Sequence, residues 1–133
     1  MVGLLLTLWA CSQADQYAKN QAYFFLESLK QVDTGGQQLQ NPELDEASLQ
    51  RALSLLDEGL QYAFQVERPF LDELDLRLGK NYQRYFIKGV ENYRLGIEAG
   101  DQEQQVEGLR LLQQWAAFWG EAGNAIRSKL PSS

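Results

Sequence analysis

The chain holds no histidine and one cysteine. Imidazole bases, Ser-His-Asp triads, Cys-His pairs, internal disulfides and zinc sites built on histidine or several thiolates are therefore outside its repertoire. No catalytic residue, metal or cofactor is expected. Three groups of side chains remain whose types and spacing bear on chemistry. Cys11 is a thiol directly after an uncharged, mostly apolar run, Met1 to Ala10 (MVGLLLTLWA), and directly before polar Ser12-Gln13-Ala14-Asp15-Gln16. Such a run is far short of the roughly 20 residues that span a bilayer, but it has the size of the apolar centre of a secretory signal. Arg77, Lys80, Arg84 and Lys88 recur at helical spacing, with no acidic residue between Leu76 and Val90. This row is either a cationic strip for lipid head groups or an acidic partner segment, or a set of ion-pair partners for Asp57, Glu58 and Glu67. Leu111, Trp115, Phe118 and Ala122 form an apolar row set apart from the main seam of their helix. It is expected to bind a protein partner if exposed, and to pack on a neighbouring helix otherwise.

Leu8-Trp9-Ala10-Cys11 resembles a bacterial lipobox, with leucine three positions before the cysteine and a small residue directly before it. The resemblance covers the first dozen residues only. It implies a bacterial lipoprotein in which residues 1–10 are removed and Cys11 becomes the first residue, carrying a palmitate-type anchor. Ser12 after the cysteine looks like an outer-membrane address, with the protein on the periplasmic face. The other reading of Val2 to Ala10 is the opening of a buried helix.

The elements that must hold these groups are helical. Pro69 to Leu130 reads as two long helices joined at Gly100-Asp101. Leu109, Leu112, Ala116, Trp119, Gly123, Ile126 and Leu130 form the seam of the second, while Leu71, Leu74, Leu78, Tyr82, Tyr85, Gly89, Tyr93 and Gly96 form that of the first. Gly100 suits a left-handed helix end, Asp101 a cap and Gln104 a capping box. Upstream, Ala18, Ala22, Phe25, Leu29 and Val32 mark a helix that Asp33-Thr34-Gly35-Gly36 is expected to end. Asn41 and Pro42 are expected to open the next, with Leu49, Ala52, Leu53, Leu56, Leu60, Ala63 and Phe64 on its core side. Pro69 breaks the chain near Arg68, and Asp72, Glu73 and Asp75 read as helix-start carboxylates.

The predicted fold is one all-α domain over residues 11–133, an up-down-up-down four-helix bundle, with a helical-hairpin repeat as second choice. Gly79, Gly89 and Gly96 predict a close approach on the third helix, with Trp115 and Trp119 as the facing groups. The net charge of −6 disfavours a nucleic-acid partner. The expected function is a lipid-anchored envelope module that binds a protein partner and is no enzyme. The alternative is a small ligand-binding bundle or enzyme using an aromatic space around Tyr82, Tyr85, Tyr93, Trp115 and Trp119.

Overall fold

The first helix does not stop where its glycines suggest. α1 spans Val2–Leu39 without a break. A Cβ on Gly35 would meet the Ala52 carbonyl at 3.0 Å and Leu55 Cβ at 3.1 Å, so this glycine lets the next helix lie close and does not end its own. Thr34 Oγ1 donates back to the Lys30 carbonyl at 2.9 Å and Gln37 Nε2 to Asp33 at 3.0 Å, which ties the stretch into the helix. The computed structural model describes the backbone of residues 2–132 and the side chains of residues 12–132. The lipobox-like residues and the Cys11 thiol therefore lie outside the described side chains.

α2 spans Glu46–Ala63 and starts later than Asn41-Pro42 implies. Asn41 Oδ1 accepts from the Glu43 N–H at 3.0 Å, which makes a local turn, and the cap is Asp45, accepting from the Ser48 N–H at 2.7 Å. α1 and α2 run antiparallel in close contact. A Cβ on Gly59 would press on Val32 and stand 3.2 Å from the Ser28 carbonyl.

The third predicted helix is broken twice. Pro69 sits in the first turn of α3, Arg68–Leu74, behind an extended Glu67, as a residue lacking an N–H prefers. Asp75 is then extended and accepts from the Arg77 N–H at 2.7 Å, so it forms a turn rather than a helix start. The helix resumes as α4, Leu78–Asn81, passes through a π-helical turn at Tyr82–Ile87 and continues as α5, Lys88–Ala99. Gly100 ends it at φ 66°, in the left-handed region. Asp101 returns its N–H to the Gly96 carbonyl at 2.8 Å and caps α6, Gln102–Lys129, by accepting from the Gln104 N–H at 3.1 Å.

α5 and α6 approach backbone to backbone. A Cβ on Gly96 would meet Gln105, one on Gly89 would stand 2.9 Å from Leu112 Cγ, and one on Gly108 would fall on the backbone of Tyr93. Of the three glycines expected to face Trp115 and Trp119, Gly79 faces Arg68 and Asp72, Gly89 faces Leu112 and Gly96 faces Gln105. The described residues are all-α, an up-down-up-down bundle of two hairpins with α3 interrupting the third limb. The hairpins meet over Phe25, Leu56, Leu60, Leu71, Leu78, Tyr82, Val90 and Ile126, all buried.

Candidate functional site

The row expected to be a docking surface is core. Trp115, Phe118 and Ala122 are 7%, 9% and 6% exposed, and Leu111 is half-buried. The buried stripe of α6 runs through Gly108, Trp115, Phe118, Ala122, Gly123 and Ile126, and Ala116 and Leu109 of the predicted seam are exposed. The inward face is thus turned away from the Leu109 and Ala116 side of the predicted seam, while Leu112, Trp119, Gly123, Ile126 and Leu130 of that seam still pack on or in the core. Aromatic bulk accounts for this. Trp115 packs against Tyr82 at 5.8 Å, Phe86 at 5.5 Å, Phe118 at 5.6 Å and Trp119 at 5.4 Å between ring centroids. These rings bury more apolar area than Ala116 could, and area removed from water decides which face turns inward.

The same rings occupy the space expected to form an aromatic pocket. The π-helical turn stacks Tyr82 on Phe86 at 5.1 Å, and Phe25 closes the cluster against Tyr82 at 5.2 Å and Trp119 at 5.6 Å. Burial raises the Tyr82 and Tyr93 phenols above the ordinary tyrosine range. Among the described residues, two depressions lie elsewhere: one is lined by Gln38, Gln50, Arg51, Ser54 and Leu55, the other by residues 72–77 and Lys129. Both are shallow and open to solvent.

The cationic row lies on the surface, and its four members are exposed. Arg77 is held at the turn by Asp75 and Glu121, each at 3.4 Å, and lies 5.3 Å over the Phe118 ring. Its guanidinium is raised above its usual range by hydrogen bonds to those two carboxylates. Lys88 reaches Glu91 at 3.7 Å. Arg84 lies 5.6 Å over the Tyr85 ring, and among the described residues neither it nor Lys80 has a carboxylate within ion-pair distance. Asp57, Glu58 and Glu67 pair with none of the four; Glu67 instead accepts from the Tyr17 hydroxyl. Residues four apart drift by about 40° on an α-helix, and the wider π-helical turn winds less per residue. Lys80, Arg84 and Lys88 therefore fall close to one line along the limb.

Two features of α1 complete the inventory. Ser12 to Tyr17 are all exposed, and among the described residues the first anchoring contacts are those of Tyr17 with Glu67 and of Ala18 with the core. Cys11 stands about six residues before Tyr17 on α1, about 9 Å along the helix. Farther along, a surface cluster escaped the sequence reading: Tyr23 lies edge-on to Tyr62 at 5.9 Å, and Phe24 stacks on Tyr62 at 6.5 Å. Its only signal was the matched pairs Tyr23/Glu27 and Glu58/Tyr62, each one turn apart, and nothing in the chain shows that those turns face each other. Set against protein-family models, curated proteins and solved structures, the chain matches none.

Proposed function

We propose that this chain is a lipid-anchored helical module of the bacterial envelope, held at Cys11 on the periplasmic face of the outer membrane, that binds a protein partner and does no chemistry of its own. The observation that carries the reading is the place of Cys11 on α1. It follows the apolar run, and every residue from Ser12 to Tyr17 is exposed. The α1 backbone from Cys11 to Tyr17 sets the anchor position about 9 Å along the helix from the first described contact with the rest of the domain. A single acyl chain binds membranes only marginally, so stable attachment needs the multiple chains of a lipoprotein anchor.

In this reading the partner meets Lys80, Arg84 and Lys88. The buried Trp115 row is withdrawn as the docking surface. A line of exposed cations on a chain of net charge −6 suits an acidic segment with carboxylates at helical spacing, and steers its approach.

Two measurements test the two halves separately. Intact-mass analysis and fractionation of the full chain should show an acylated species in the membrane pellet, and Cys11→Ala should be soluble and lack the acyl mass. Unchanged mass and fractionation in Cys11→Ala would end the anchor reading. For the strip, the Lys80→Glu, Arg84→Glu, Lys88→Glu variant should lose binding to an acidic helical peptide and keep its circular dichroism; equal binding by both proteins would sink it.

A further inference from the structure

The cluster of rings between α1 and α2 is bordered by charge of one sign. On α1, Tyr23 and Glu27 are one turn apart; on α2, Glu58 and Tyr62 are one turn apart, and the antiparallel pairing sets Tyr23 beside Tyr62. The Tyr62 phenol is held above the ordinary tyrosine range first by hydrogen bonding with Tyr23, then by the charge of Tyr23, by burial and by the charges of Glu27 and Glu58. Each carboxylate lies one turn from one of the two paired rings, so both border the same cluster.

Neither carboxylate has a cationic partner among the described residues: Glu27 accepts only from Gln31 Nε2 at 3.1 Å, and Glu58 makes no side-chain hydrogen bond there. Lys19, one turn before Tyr23, is taken by Asp15 at 3.2 Å. Tyr23 is 53% exposed, so the ring surface faces solvent. An aromatic face carries negative potential and attracts a cation laid over it, best where carboxylates add to the attraction. A planar guanidinium serves both demands at once, stacking on a ring while its N–H groups meet a carboxylate.

We propose that Tyr23, Phe24 and Tyr62, with Glu27 and Glu58, form a receiving site for an arginine side chain on a basic segment of a protein partner. The choice of a protein over a choline head group rests on the anchor reading. Tyr23 follows Cys11 by twelve residues of unbroken α1, about 18 Å of helix. The head-group layer is only about 5–8 Å deep on each side of the bilayer, so it does not reach this patch.

The test uses the full chain and a short capped peptide alternating Arg and Gly, followed by NMR at the Tyr23, Phe24 and Tyr62 rings. Saturable shifts should centre on those rings, weaken with salt, and lose about tenfold in affinity in the Glu27→Gln, Glu58→Gln variant, whose changes lie on the surface and spare the fold. Three results would overturn the proposal: no shifts at these rings, full affinity in the double Gln variant, or the same rings shifting with phosphatidylcholine vesicles and not with the peptide. A fourth is concentration-dependent self-association that Arg84→Glu abolishes, which would assign the patch to a second copy's cationic row. The ring shifts are read in solution whether or not Cys11 is acylated, so failure here leaves the anchor reading intact, and failure of the anchor leaves the titration interpretable.

Discussion

The Tyr82 hydroxyl lies 2.6 Å from the Ser28 hydroxyl in the closed interior, and Ser28 Oγ lies 2.6 Å from the Phe25 carbonyl. A carbonyl only accepts, so the Ser28 proton is committed to Phe25 and the Tyr82 hydroxyl donates to Ser28. The order of donation makes the two ends of this pair unequal. Tyr82→Phe removes one hydrogen bond and leaves Ser28 satisfied, a loss of about 0.5–1.5 kcal/mol. Ser28→Ala strands a buried phenol, a loss of about 1–3 kcal/mol. We expect the Ser28→Ala, Tyr82→Phe double variant to be no less stable than Ser28→Ala alone, read by urea denaturation. A double variant whose losses simply add would contradict the assigned direction.

Burial also gives Tyr82 an alkaline signature. Its folded phenol keeps its proton at pH values where the unfolded chain, ionising near about 10, has lost it. Above that pH the unfolded state binds fewer protons than the native state, so stability is fully present below pH about 10 and falls as pH rises beyond it. Tyr93 contributes in the same direction. The denaturation midpoint should drop across this window, and Tyr82→Phe should flatten the drop; an unchanged slope in the variant would count against burial as the cause.

Replacing Trp115 with Gln and Phe118 with Ser should abolish the helical circular-dichroism signal at ordinary temperature. Each ring contributes about 3–5 kcal/mol when lost from a core. Together they approach or exceed the whole stability of a small domain, about 5–15 kcal/mol. A double variant that melts like the parent would return this row to the surface.

Two glycines separate packing from propensity. Gly108→Ala places a methyl on the backbone of Tyr93, so the α5/α6 hairpin must open, which overrides the helix-propensity gain and destabilises by about 1–3 kcal/mol. Gly36→Ala, with nothing within 4 Å of the new Cβ, should stabilise the uninterrupted α1 by about 0.5–1 kcal/mol. Thermal melts of the two variants should shift in opposite directions. A loss at Gly36 would show that the helix breaks there.

The sequence by itself determined the all-α class, the α5/α6 hairpin with Gly100 left-handed and Asp101 capping, and the inward stripes of α1 and α2 at Ala22, Phe25, Val32, Leu53, Leu56 and Leu60. These follow from helical periodicity and from cap chemistry, which act within a few residues. It also marked Cys11 and the row Lys80, Arg84 and Lys88. Tertiary structure alone decided the rest. Gly35 signals a helix end locally, yet the contact with α2 made it a packing position. Phe64 carries the apolar period of α2, yet it caps the helix and is exposed. α6 offered two apolar faces, and the rings of Tyr82 and Phe86 on another limb turned the one bearing Trp115 inward. The pairing of Tyr23 with Tyr62, and of their flanking glutamates, depends on how two helices align. Spacing along one helix sets which residues share a face, but only burial against a second helix decides which face turns inward.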